Sequence, residues 1–74
     1  MSGRALPCGE RAILVELDGL DEALALYRRL DAARPPHTED LVLGARTVLL
    51  SVARPAALPD AAAELRLELV ALGI

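Results

Sequence analysis

The sequence predicts an α+β fold, a small and largely antiparallel four-stranded sheet in the order ββαββα with two helices on one face. Three observations predict it. Ala12–Leu17 and Thr47–Val52 are short, β-branched runs whose apolar residues alternate at the period of a strand. Residues 18–34 and 58–72 repeat apolar side chains at steps of three and four, the period of a helix. Gly9 and Gly44 each stand between two adjacent strand-like runs, as hairpin turns require.

In chain order, residues 4–8 pair across Gly9-Glu10 with Ala12–Leu17, whose Ile13, Val15 and Leu17 share the face assigned to the core. The first helix is expected over 18–34, capped by Asp18 with Asp21 in capping-box spacing. Leu20, Ala23, Leu24, Tyr27 and Leu30 form its apolar stripe. Asp21 and Glu22 at its start and Arg28, Arg29 and Arg34 towards its end suit the helix dipole. Pro35-Pro36 stops it. A second hairpin joins 41–43 to Thr47–Val52 through Gly44-Ala45, with Val48, Leu50 and Val52 facing the core. Thr47, Leu49 and Ser51 face the other way, and Leu49 marks that face as a docking surface. Pro59 opens the last helix, Gly73 closes it, and Leu58, Ala62, Leu65, Leu69 and Leu72 are its stripe. The expected core is Ile13, Val15, Leu17, Leu24, Leu30, Val48, Leu50, Val52, Leu65 and Leu69.

Seventy-four residues make a single domain. A chain this short buries only about 60% of the surface its unfolded form exposes, so its stability is marginal. Its single Cys leaves no internal disulfide, and no Cys/His cluster offers a zinc site. Apolar surface at Leu49, on the strand face away from the core, and at Leu67 and Val70, off the stripe of the last helix, therefore predicts docking on a partner or self-association into a homodimer.

Composition excludes several functions. Tyr27 is the only aromatic residue, which removes base-stacking platforms and aromatic-lined pockets. A net charge of −3 lacks the footprint that nucleic acid or an anionic membrane requires. All eight basic residues are Arg, in keeping with a GC-rich bacterial genome. No targeting segment or apolar run of membrane-spanning length is present, and a lone Cys fits a reducing compartment, so the expected location is the cytoplasm.

Catalytic constellations are not expected either. His37 stands alone in a loop and reads as solvated. Cys8, at a strand end, reads as a small buried or edge residue, and Gly9, Gly19 and Gly44 are separate turn glycines rather than a phosphate loop. Glu39 and Asp40 adjoin and point to opposite faces of a strand, while Asp60, Glu64 and Glu68 follow the spacing of a solvated helix face. No metal site and no cofactor are expected in this chain. The candidate binding or interface residues are Arg46 and Gly44 in the second hairpin, Arg11 at the start of the first core strand, and Leu49. A guanidinium at Arg46 could clamp a partner's carboxylate, against the plainer reading of an arginine solvated at a hairpin end.

Two motifs carry a family resemblance. Gly9-Glu10-Arg11-Ala12-Ile13-Leu14-Val15-Glu16 resembles the "G-D-x-A-hydrophobic-L-V-E" opening of the subunit 1 proteins. These are variously called allophanate hydrolase subunit 1, the B component of 5-oxoprolinase or the Kip-type inhibitor of a sporulation histidine kinase. Leu41-Val42-Leu43-Gly44-Ala45-Arg46-Thr47-Val48-Leu49-Leu50 resembles their second signature, "V-V-P-G-x-R-S/T-hydrophobic-L-V", with Leu43 where the family usually has Pro. The resemblance implies the N-terminal domain of a longer protein that continues into a cyclophilin-like barrel, which these residues do not include. It implies assembly with a second subunit of homologous fold and a TIM-barrel-like one, the complex opening 5-oxoproline with ATP or hydrolysing allophanate. No catalytic residue of the family falls on this chain; Gly44 and Arg46 carry over only as motif positions. Two other classes stand beside this one, a regulatory module inhibiting a histidine kinase and an unrelated small interaction domain.

Overall fold

A computed structural model describes residues 3–74. The elements are β1 (Gly3–Pro7), β2 (Ala12–Leu17), α1 (Leu20–Ala32), β3 (Thr38–Leu43), β4 (Thr47–Val52) and α2 (Leu58–Ala71), with a single 3-10 turn at Pro55–Ala57 before α2. The strands form one antiparallel sheet in the order β1-β2-β4-β3, with both helices against one face. The predicted ββαββα α+β fold is the observed one.

The central pair β2–β4 sets the register. Ile13 lies opposite Leu50 and Val15 opposite Val48, so the β-branched, apolar positions of both strands share the helix-facing side. Ile13, Val15, Leu17, Val48, Leu50 and Val52 are all buried there, and the residues between them are only partly so. Tight turns hold the outer strands. Gly9, at φ +76°, takes the left-handed backbone that the β1–β2 turn needs. At the other hairpin the Gly44 N–H donates to Thr47 O at 2.8 Å, leaving Ala45-Arg46 as the loop.

The first helix departs from expectation at its start and on its face. Its N-cap is Gly19, in extended backbone and with no side-chain cap, rather than Asp18. The cause is upstream: Leu17 is still bonded into the sheet, its N–H donating to Arg46 O at 2.8 Å, so Asp18 and Gly19 are spent on the turn out of the strand. The buried side chains are Ala23, Leu26 and Leu30, while Leu24 and Tyr27 are half-buried and Leu20 is 55% exposed. The apolar arc of α1 is wider than one stripe, since Leu20 and Leu24 bound it on one side and Leu26 on the other. Packing between the sheet and α2 selects the Leu26 side.

The second helix keeps its stripe. Leu65 is buried, Leu58, Ala62, Leu69 and Leu72 pack partly against the core, and Ala61 is the deepest addition. Of two residues expected in the core, Leu69 thus lies at its margin, and Leu24 is half-buried outside the core cluster. Gly73, at φ +77°, closes α2 in a Schellman motif: the Ile74 N–H donates to Leu69 O at 2.9 Å and the Gly73 N–H to Val70 O at 3.0 Å. Arg29 of α1 bonds Glu68 of α2 at 2.6 Å across the helix pair, a half-exposed ion pair worth at most about 1 kcal/mol.

Leu26→Ala is expected to cost about 2–5 kcal/mol, comparable with the whole stability of so small a core, and to unfold the domain or nearly so. Leu20→Ala should change stability by no more than about 0.5 kcal/mol. Urea titration followed by circular dichroism compares the two, and equal losses would return Leu20 to the core face.

Candidate interaction surfaces

The sheet has a second face, and pairing turns its residues into rows. Opposite residues in adjacent strands point the same way. Leu6 lies opposite Leu14, Leu14 opposite Leu49, and Leu49 opposite Val42, so four aliphatic side chains cross all four strands on the side away from the helices. Arg4, Glu16 and Thr47 flank this row on one side, and Ala12, Ser51 and Asp40 on the other. Leu6, Leu14 and Leu49 are half-buried by their neighbours, and Val42 is 52% exposed at the sheet edge. This is an apolar stripe with mainly polar rims.

The candidate residues fall into different places relative to that row. Leu49 is at its centre. Arg46 is exposed at the β3–β4 turn, beside a polar hollow of about 120 Å³ lined also by Gly3, Arg4, Glu16, Leu17 and Asp18. At Gly44 a Cβ would run into Thr47 Oγ1 unless the Thr47 side chain turned away, whereas its φ is ordinary. Arg11 is exposed at the opposite end of β2, its carbonyl accepting from the Val52 N–H at 2.8 Å. Arg11 and Arg46 therefore cannot converge on one small ligand. Leu6, Leu14 and Val42 were missed by sequence reasoning; laying the predicted strands against one another around Gly9 and Gly44 would have aligned them with Leu49.

The remaining reactive groups stay apart. His37 is exposed, with Arg54 Nη2 donating to its Nε2 at 3.4 Å. It occupies the third position of the turn Pro35-Pro36-His37-Thr38, where φ is +67° and the Thr38 N–H and Oγ1 both donate to Pro35 O. Proline before a positive-φ residue is the pattern of a type II turn. Cys8 is an exposed edge residue, not a buried one. Glu39 forms a bulge where the β3–β4 register shifts between Thr38 and Asp40, so simple alternation does not place it opposite Asp40; both are exposed. Glu22 Oε2 is out of solvent and has no hydrogen-bond partner among the described residues. It sits in the first turn of α1, where the helix dipole favours a negative group. Among the described residues no group of three or more His, Cys, Asp or Glu could hold a metal ion. No described helix is long and apolar enough to cross a membrane.

A second concave feature lies on the helix side. β1 is an edge strand, and α2 runs beside it with Ile74 against Gly3 and Leu58 towards Pro7. Between them is an open cleft of about 360 Å³, bounded by Ala5, Pro7 and Ile13 of the sheet and by Leu58, Ala62 and Arg66 of α2. Among the described residues, Arg66 is its one charged lining residue. No protein-family model and no curated protein matches this sequence.

The strained turn gives a direct test of whether His37 is held for its ring or merely tolerated. Left-handed backbone costs a non-glycine residue roughly 1–2 kcal/mol, partly offset by the greater unfolded-state freedom of glycine. His37→Gly should therefore leave the melting temperature unchanged or raised, and His37→Val should lower it. Thermal denaturation checks both, and a clear loss in His37→Gly would mean the imidazole contributes to the fold.

Proposed function

We propose that this chain is a cytoplasmic assembly domain of a multi-subunit amide-hydrolysing enzyme, which docks through the open face of its sheet and performs no chemistry alone. The Leu6–Leu14–Leu49–Val42 row carries the reading, because a solvent-facing sheet side ordinarily alternates to polar residues. The partners come from the resemblance of the Gly9–Glu16 and Leu41–Leu50 motifs to the subunit 1 proteins of 5-oxoprolinase and allophanate hydrolase. They are a second subunit of homologous fold and a TIM-barrel-like subunit. ATP is a reactant of that complex, held outside this chain.

Size sets how the face is used. Four strands about 4.8 Å apart and six residues long present roughly 400 Å², half of what one partner buries in a standard interface. The row therefore serves as the apolar centre, and its rim must contribute too. Arg46, at the corner beside Arg4 and Glu16, is placed to supply a charged contact there.

The test is co-expression with second-subunit and TIM-barrel-like subunits, followed by size-exclusion co-elution and assay of ATP-dependent glutamate release or of ammonia from allophanate. Leu14→Thr/Leu49→Thr keeps strand propensity and should abolish co-elution while costing the fold no more than about 1 kcal/mol of cross-strand contact. Arg46→Ala should weaken assembly by roughly 2–5 kcal/mol where a partner carboxylate is left buried, and by almost nothing where Arg46 stays solvated. Turnover by the 74-residue chain alone would sink the assembly reading.

A further inference from the structure

The two edges of the sheet are built differently. β3 carries a bulge and the adjacent acids Glu39 and Asp40, devices that discourage another strand from pairing. Its helix side is also filled, by Leu41 and Leu43 packed on the core. β1 has no bulge and no acid, and the two such devices it does carry, Arg4 and Pro7, leave the N–H groups of Gly3 and Ala5 free. Its residues are Gly-Arg-Ala-Leu-Pro, and beneath its helix-facing side lies the open cleft against α2.

Hydrogen-bond parity shows what β1 offers. The Cys8 N–H donates to Ala12 O at 2.9 Å, so in this antiparallel pair the even residues of β1 bond to β2 and the odd ones face outward. Gly3 and Ala5 present both N–H and C=O to the free edge, and Pro7 presents C=O alone. Pro7 thus sits where its missing donor disturbs nothing inside the sheet. The same odd residues point to the helix side, because Ala5 lies opposite Val15 and Pro7 opposite Ile13.

From this we infer that β1 and the cleft together form a strand-addition site for an extended peptide segment of a protein partner. The segment runs antiparallel to β1. Its residues opposite Pro7 and Ala5 are apolar and enter the cleft, and the acidic side chain that follows them reaches back to Arg66, which lines the same cleft. Backbone bonds to Gly3, Ala5 and Pro7 hold the strand, and the cleft reads alternate side chains. Charge and volume select this occupant. Arg66 is the one charged group among the described lining residues, with no acid in that lining, and asks for a carboxylate. A second copy of β1 would bring only its own small Ala5 and Pro7 to a cleft of about 360 Å³ and no carboxylate to Arg66. The site lies across the sheet from the open face and does not depend on the family reading.

The probe is the capped peptide Gly-Thr-Leu-Thr-Leu-Thr-Glu-Gly, with a control in which the leucines are adjacent, titrated into the 15N-labelled chain. Saturable binding should slow amide exchange at Gly3 and Ala5 and leave Arg4 and Leu6, already bonded within the sheet, unchanged. Ala5→Pro removes only an outward donor, so it should keep the fold and abolish binding. Arg66→Glu should weaken the glutamate peptide roughly fivefold and favour its lysine counterpart. Equal binding of the control peptide, no binding, or shifts confined to the open face would overturn the proposal. So would protection of Gly3 and Ala5 that rises with protein concentration alone, since that would give the edge to a second copy.

Discussion

The antiparallel pairing of β2 with β4 is the constraint on which everything else in the molecule depends. With Val15 opposite Val48 and Ile13 opposite Leu50, every β-branched core residue of both strands points to the helices. A slip of one residue would send that set to solvent and bring Leu14, Leu49, Glu16 and Thr47 under α1 and α2. Glu16 and Thr47 would then lose water without gaining partners, which penalises the slipped register heavily. Leu14 and Leu49 can remain on the open face because the energetic contrast between the two registers is carried by their polar neighbours.

Strands were legible because their signals are local: alternation, β-branching, and a glycine at each turn. The helix faces were harder to read. In α1, Leu20, Leu24 and Leu26 are chemically equivalent, and only packing between the sheet and α2 decides that Leu26 is covered and Leu20 is not. The cap was misread for a related reason, since Asp18 is a better capping residue than Gly19 but the sheet claims the backbone through Leu17. Among the candidate residues, Leu49 was visible as an apolar intruder on a polar face. Its partners Leu6, Leu14 and Val42 were not, because a row across four strands exists only once registers are known. Arg11 and Arg46 were comparable in sequence, and the fold puts them at opposite ends of β2.

The alanine-rich composition shapes the helix side. Ala23 and Ala61 are fully buried and let both helices approach the core closely without aromatic side chains to fill the space. The same economy leaves room elsewhere. Where Ala62 of α2 faces Ala5 and Pro7 of β1, no side chain is long enough to close the gap, although Leu58 and Leu65 line it. α2 meets the sheet at both ends, where the Pro55–Ala57 turn joins it to β4 and where Ile74 lies against Gly3. The cleft is thus a consequence of helix ends that meet the sheet and short side chains between them.

The open face and the β1 edge are separate surfaces, but strand geometry couples them. A strand added beside β1 would alternate like any other: residues that do not enter the cleft would point to the open face, next to Leu6. An apolar residue there would lengthen the Leu6–Leu14–Leu49–Val42 row by one strand spacing, about 4.8 Å, and widen the face by roughly a quarter. Since that face alone offers about half of a standard partner's interface, strand addition would strengthen docking on the far side of the sheet. By reciprocity a partner docked on the open face would tighten the added strand by the same factor. Such coupling needs no conformational change, only that one continuous sheet present both surfaces.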